Sequence, residues 1–101
     1  MAEYGQLTSS DYVHLHNHTQ YSLLDGLTRV DKLMDYVAEK GMTAVAMTDH
    51  GTMSGAIEFY KEGINHEIKP IIGIETYVAA RKHTDKDPSK DKNRYHLILL
   101  A

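Results

Sequence analysis

The sequence predicts an α/β fold in which parallel strands are joined by crossover helices. Short apolar runs alternate along the chain with segments of helical periodicity, the signature of βαβ units. One run, Thr43-Ala44-Val45-Ala46-Met47-Thr48, is apolar without alternation, which suits a strand covered on both faces in a parallel sheet. The polar residues that interrupt these runs lie mostly at their carboxyl ends, where parallel α/β folds place their sites.

Residues 1–11 are polar and read as a lead-in, and residues 12–101 as the folded part. The first strand is expected over 12–16, running into His14-Leu15-His16-Asn17-His18-Thr19. Alternate side chains of an extended chain share a face, so His14, His16 and His18 are expected to project together. A loop follows and ends in the turn-prone pair Asp25-Gly26. Thr28 suits the N-cap of a helix over 29–40. Val30, Leu33, Met34, Val37 and Ala38 give that helix one apolar face. Gly41 is the residue type expected just past its end.

The second strand is expected over 43–48, with Asp49-His50-Gly51 directly after it. Ser54 suits the cap of a second helix reaching about residue 65. Its apolar face is read as Ala56, Ile57, Tyr60 and Ile64, with Gly63 weakening the last turn. Pro70 precedes a third strand over 71–80. Residues 81–94 interleave both signs of charge and read as a solvated loop. A fourth strand is expected over 95–100.

Composition narrows the function. The formal charge is -3 and the pI near 6.1, so nothing global attracts nucleic acid; such binding needs a local basic patch or metals. With no cysteine, disulfides and thiolate metal sites are excluded, which fits a reducing cytosol. The N-terminal residues do not pattern as a signal peptide and no apolar run has the length of a membrane span, so a cytoplasmic protein is expected. There is no Gly-x-Ser-x-Gly elbow and no Gly-rich phosphate loop with lysine.

What the chain does carry is histidine and carboxylate at strand ends. Three of its seven histidines fall within five positions, 14–18. Neutral imidazoles offer nitrogen lone pairs to a metal at low desolvation cost. Other readings stand beside this one. Asp25 before Gly26 is also an ordinary turn pair, and Asp49-His50 is either a helix-capping pair or a carboxylate holding an imidazole. Glu75 lies among apolar residues, where a carboxylate needs a cation or a donor. His96, beside an apolar run, reads alone as a core residue; His66 and His83 read as surface residues. A histidine and carboxylate set without cysteine suits zinc, manganese or iron, and such ions lower the pKa of bound water and polarise phosphoryl oxygens.

His16-Asn17-His18-Thr19, Thr48-Asp49-His50-Gly51 and Gly73-Ile74-Glu75 resemble the first motifs of the polymerase and histidinol phosphatase (PHP) superfamily. The longer run over 14–26, with Met47-Thr48-Asp49-His50-Gly51, Pro70-Ile71-Ile72-Gly73-Ile74-Glu75 and the closing Tyr95-His96-Leu97-Ile98-Leu99-Leu100-Ala101, resembles the PHP domains of bacterial DNA polymerase III alpha subunits. The resemblance implies a distorted seven-stranded (β/α) barrel holding up to three metals, for which the donor set already suggests zinc or manganese, with iron as a third candidate. It implies His16, His18, Asp25, His50, Glu75 and His96 as ligands; His14 and Asp49 are expected, from their own places in the chain, to support them from outside. It further implies a parent that replicates DNA, with DNA and other replicase subunits as partners and a metal-dependent 3′-5′ exonuclease or phosphoesterase in the intact domain. The family's later ligand motifs lie beyond residue 101. This chain is therefore expected to be a part of the barrel that is inactive alone, binds metal more weakly than the whole domain, and self-associates through uncovered strand edges. Two other functions compete: a stand-alone phosphoesterase of the histidinol-phosphatase kind, and a non-catalytic module that uses metal for stability.

Overall fold

The continuous apolar run becomes the strand on which the rest is laid. The structure, a computed structural model, describes residues 5–101. In it Ala44–His50 form β1, buried as far as Asp49. Lys69–Ala79 (β2) pair with it in parallel, and Arg94–Leu100 (β3) pair with β2 in antiparallel fashion, giving the order β1-β2-β3. The expected mixed α/β architecture is present, with one correction to the parallel sheet. A parallel return needs a crossover, usually helical, and residues 80–93 hold no helix. They fold back as a surface excursion instead. Arg81 closes it, with Nε and Nη2 donating to the two carboxylate oxygens of Asp91 at 2.7 and 2.6 Å.

The first expected strand is reduced to one parallel bridge, His14 to Val45. The segment does lie beside β1, since Ala46 N–H donates to His14 O and Thr48 N–H to Asn17 O, both at 2.9 Å. Three steps of this segment, 14 to 17, thus span two steps of β1, 46 to 48. The extra residue is a bulge, and a bulge changes which side chains share a face. Asn17 stabilises it: its side-chain amide donates to Ala46 O at 3.1 Å and His14 O at 3.3 Å, and its N–H donates to Thr48 Oγ1 at 2.9 Å. The lead-in over 1–11 lies partly outside the described residues. Its described part is exposed and holds a 3-10 turn, Ser9–Asp11, with Asp11 accepting from Thr8 N–H at 2.8 Å.

Two helices complete the core with the sheet. Val30–Glu39 form α1, capped by Arg29 rather than Thr28. Thr28 is engaged elsewhere, bridging Thr19 and accepting from Gln20 N–H, while Gln20 Oε1 accepts the free Val30 N–H at 3.2 Å. Val30, Met34 and Val37 are buried and Leu33 lies at the core's edge, but Ala38 is exposed. Gly41 takes a φ of 77° past the helix end, the left-handed conformation its position predicts. Ala56–Asn65 form α2, capped by Gly55 rather than Ser54. The core joins Val30, Met34 and Val37 to Val45, Met47, Phe59 and Ile68. Among the described residues no helix is long and apolar enough to cross a membrane.

The buried face of α2 also differs from the expected one. Phe59 and Gly63 are buried with Ala56 beside them, and Ile57, Tyr60 and Ile64 are exposed. Two apolar stripes run along this helix, and Gly63 decides between them. A Cβ there would meet Pro70 Cβ at 2.9 Å and Ile68 O at 3.1 Å, so only a glycine lets α2 approach β2 this closely. Gly63→Ala is expected to destabilise the chain by about 1–2 kcal/mol in urea unfolding, because overpacking outweighs the roughly 1 kcal/mol that alanine gains in a helix. A stabilised variant would show that the helix moves freely on the strand.

His66 is not the plain surface residue the sequence suggests. Its Nδ1 lies 2.8 Å from Glu62 O and its Nε2 2.7 Å from Asp35 Oδ1, tying α2 to α1. Both partners only accept, so the doubly protonated ring satisfies both, and the Glu62 carbonyl first, then Asp35, raise its pKa above 6.5. A raised folded-state pKa gives stability that is complete below the unfolded value and lost as pH rises through the folded one. Thermal melts from about pH 5.5 to 8.5 should therefore show the wild type losing its advantage over His66→Gln as pH rises. An advantage constant with pH would contradict the charged pairing.

Candidate metal centre

Register brings the chemistry together. His50 at the end of β1 pairs with Glu75 of β2, and Tyr77 pairs with His96 of β3. Residues 75 and 77 share a face of β2, as 94 and 96 share a face of β3. Gly51 then turns the chain at a φ of 70°, its N–H donating to Glu75 O at 2.9 Å.

Glu75 is the centre of the arrangement. It is 4% exposed, and one oxygen, Oε2, accepts from His18 Nε2 at 2.5 Å and His16 Nε2 at 3.3 Å. The other, Oε1, lies 3.1 Å from His96 Nδ1. Burial raises the pKa of this carboxyl, but the hydrogen bonds from His18 and His16 and their charge outweigh it and hold it below the ordinary value. Ligand atoms of His16, His18 and Glu75 all lie within 4.8 Å of one another, close enough to share an ion.

His50 and Asp25 stand beside this group. The Asp25 carboxylate accepts from His50 Nδ1 and lies 4.0 Å from His18 Nδ1. The His50 ring stacks on His18 with centroids 5.9 Å apart and lies 5.0 Å from His96. With Nδ1 donating to Asp25, the lone pair of His50 sits on Nε2. That nitrogen is buried and has no hydrogen-bond partner among the described residues. A buried polar atom left unpaired is costly, and a cation answers both this lone pair and the buried carboxylate next to it. The donor set, nitrogen and oxygen without sulfur, fits a divalent metal.

Hydrogen bonds of the neighbouring residues hold these side chains in place. Thr19, directly after His18, donates through N–H and Oγ1 to Asp49 Oδ1 and Oδ2 at 2.5 and 2.6 Å, and both residues are fully buried. Ser22 Oγ accepts from His50 N–H at 3.0 Å, and Ser22 O accepts from Asp25 N–H and Gly26 N–H. Gly26 is required where it stands, since a Cβ there would lie 2.3 Å from Thr19 O. The Tyr21 hydroxyl donates to Glu58 of α2, pinning the loop that carries Asp25. Its pKa is raised first by that hydrogen bond.

The six sequence-predicted ligands, His16, His18, Asp25, His50, Glu75 and His96, are thus brought together. The two supporting residues are placed differently. His14 lies edge-on to Tyr12 with ring centroids 4.8 Å apart, and no hydrogen bond joins its ring to the cluster among the described residues. The bulge is the reason, since it takes His14 out of phase with its neighbours. Asp49 does not hold the imidazole of His50; adjacent strand residues face opposite ways, and its partner is Thr19. Sequence reasoning missed Tyr77, whose ring lies 4.9 Å from His50 and 5.3 Å from His96, and Arg94, whose guanidinium lies 4.2 Å above that ring. Both are two residues from a predicted ligand in a strand, and alternation alone would have found them.

A PHP domain family model matches residues 14–101. The chain is similar to the DNA polymerase III alpha subunits of Campylobacter jejuni, at 48% identity over 91% of this chain and 8% of that protein. It is likewise similar to those of Mycobacterium tuberculosis, at 49% over 96% and 9%, and Thermus aquaticus, at 48% over 89% and 8%. It therefore spans less than a tenth of the length of these relatives. A match that runs from His14 to the last residue and takes in the whole cluster leaves one conclusion: the chain belongs to the PHP domain family.

Proposed function

We propose that this chain is the PHP part of a bacterial replicative DNA polymerase, a DNA polymerase III alpha subunit, and that its cluster holds divalent metal for phosphodiester hydrolysis in the whole protein. The observation that carries the reading is the buried Glu75 carboxylate ringed by His16, His18 and His96 beside the unpaired Nε2 of His50. The names of the relatives support the polymerase half. In the whole protein the sheet continues into the PHP barrel, the partners are DNA and other replicase subunits, and the location is the cytoplasm.

His16, His18, Asp25, His50, Glu75 and His96 would hold the ions, zinc or manganese with iron as a third candidate. Such an ion lowers the pKa of water and offsets charge on a phosphoryl oxygen, here supporting 3′-5′ removal of nucleotides. Glu75 presents an oxygen to each side of the cluster, and Asp25 fixes the His50 tautomer so that Nε2 faces inward as a lone pair.

Elemental analysis after dialysis, paired with hydrolysis of a mismatched 3′ primer end, tests this. The whole polymerase subunit should retain divalent metal and shorten the primer. The 101-residue chain should bind metal more weakly and leave the primer intact. A metal-free whole subunit would overturn the reading. The exposed Tyr95, Leu97, Leu99 and Leu100 of β3 support self-association of the isolated chain, which light scattering after size exclusion reads directly.

A further inference from the structure

We propose that Arg94, seated on the ring of Tyr77, receives the anionic phosphate of the substrate ester beside the metal cluster. The proposal rests on the metal-centre reading above and adds to it the substrate's charge requirement.

Placement comes first. Arg94 opens β3 two residues before His96, on the same face of the sheet as Glu75, Tyr77 and His96. Its guanidinium carbon lies 4.2 Å from the Tyr77 centroid, and the same ring touches His50 and His96 at 4.9 and 5.3 Å. One aromatic ring therefore carries the cation on one side and meets two histidines of the cluster on another.

Charge comes second. The chain has three arginines. Arg29 is paired with Asp31 at 2.8 Å and Arg81 with Asp91 at 2.6 Å. Arg94 has no carboxylate within 4.0 Å among the described residues, although Asp85, Asp87 and Asp91 lie in the preceding loop. Its partner is the ring face. A guanidinium held over a ring with no carboxylate partner keeps N–H donors to offer, and those donors match two oxygens of a phosphate. The stack also restricts a side chain that otherwise loses much rotamer freedom on binding. The same position on a solvated lysine would offer a point charge without the fork.

The substrate class follows. A metal-only site would accept any ester with a polarisable oxygen. A guanidinium two residues along β3 from His96 selects an ester bearing charged phosphate oxygens, such as a nucleotide end.

The probe is thymidine 5′-monophosphate, with uncharged thymidine as control, titrated calorimetrically into the 101-residue chain with and without zinc. The wild type should bind the monophosphate and not thymidine. Arg94→Gln should weaken that binding about tenfold or more with zinc content unchanged, and Arg94→Lys should recover part of it. Tyr77→Leu, which removes the ring and keeps the charge, should fall between. Equal affinity in Arg94→Gln, or no binding by the wild type at about 10 mM, where even a site of ~1 mM affinity fills, overturns the proposal. Loss of phosphate binding in Arg94→Gln in a chain that takes up no zinc would support the anion site by itself, and the metal content of the whole subunit then decides the metal reading separately.

Discussion

Glu75→Gln should cost the chain most of its metal. The substitution keeps the side chain's size and removes the charge that His16, His18 and His96 surround. Changes to residues that merely support a metal ligand typically cost 10–100-fold in affinity, and Glu75 is proposed as a ligand itself, so a loss of about 100-fold or more is expected. Competition with a zinc-chelating dye near neutral pH measures it. A carboxamide also presents an N–H₂ group where two histidines now meet an oxygen, so the imidazoles lose their common acceptor. His16→Gln should do less, because His16 sits at the longer 3.3 Å contact and is half exposed. If Glu75→Gln binds zinc within about threefold of the wild type, the ion does not sit on this carboxylate and the centre must be sought around His50 and Asp25.

Why the residues of this centre could be read before their geometry is a matter of strand register. β1 announces itself because both its faces are covered, leaving no alternation to confuse the pattern. Polar residues at its carboxyl end, and those of β2, then have one place to go. Three features were out of reach for physical reasons. The bulge between His14 and Asn17 depends on side-chain hydrogen bonds from Asn17 that no periodicity encodes. The face of α2 was ambiguous because Ile57, Tyr60 and Ile64 form as good a stripe as Ala56, Phe59 and Gly63, and a glycine, counted as a weakness, is what selects the second. The direction of β3 turns on a loop in which ion pairs take the place of a helix. Thr28 and Ser54 were reasonable caps by residue type, yet each is drawn into a neighbouring contact, Thr28 with Thr19 and Ser54 with Thr52. At Thr28 a backbone bridge claims the chain, and at Ser54 a local hydroxyl contact does, so residue type alone does not set the cap.

Asp49 gives the other large expected effect, on the fold as much as on the centre. It is wholly buried, as is its partner Thr19, and it accepts from Thr19 through both N–H and hydroxyl. Asp49→Ala removes two hydrogen bonds to a charged acceptor and leaves the buried Thr19 N–H and hydroxyl proton without an acceptor, although Oγ1 still accepts from Tyr21 N–H. Each such bond is worth about 1.5–3 kcal/mol, so a loss of about 3 kcal/mol or more is expected. In a domain of this size that lowers Tm by roughly 12–24 °C, at 4–8 °C per kcal/mol. Asp49→Asn separates the clamp from a purely electrostatic role. The threonine hydroxyl accepts as well as donates, so an asparagine carbonyl can keep the Thr19 N–H while its amide donates to Oγ1. The asparagine variant should therefore retain most of the stability and much of the zinc affinity, and the alanine variant should lose both, because Thr19 anchors the backbone at His18. Were Asp49 instead the carboxylate that orients His50, the asparagine variant would harm zinc binding as badly as the alanine one. The two melting curves and two zinc titrations decide between a clamp on the chain and a partner of the ring.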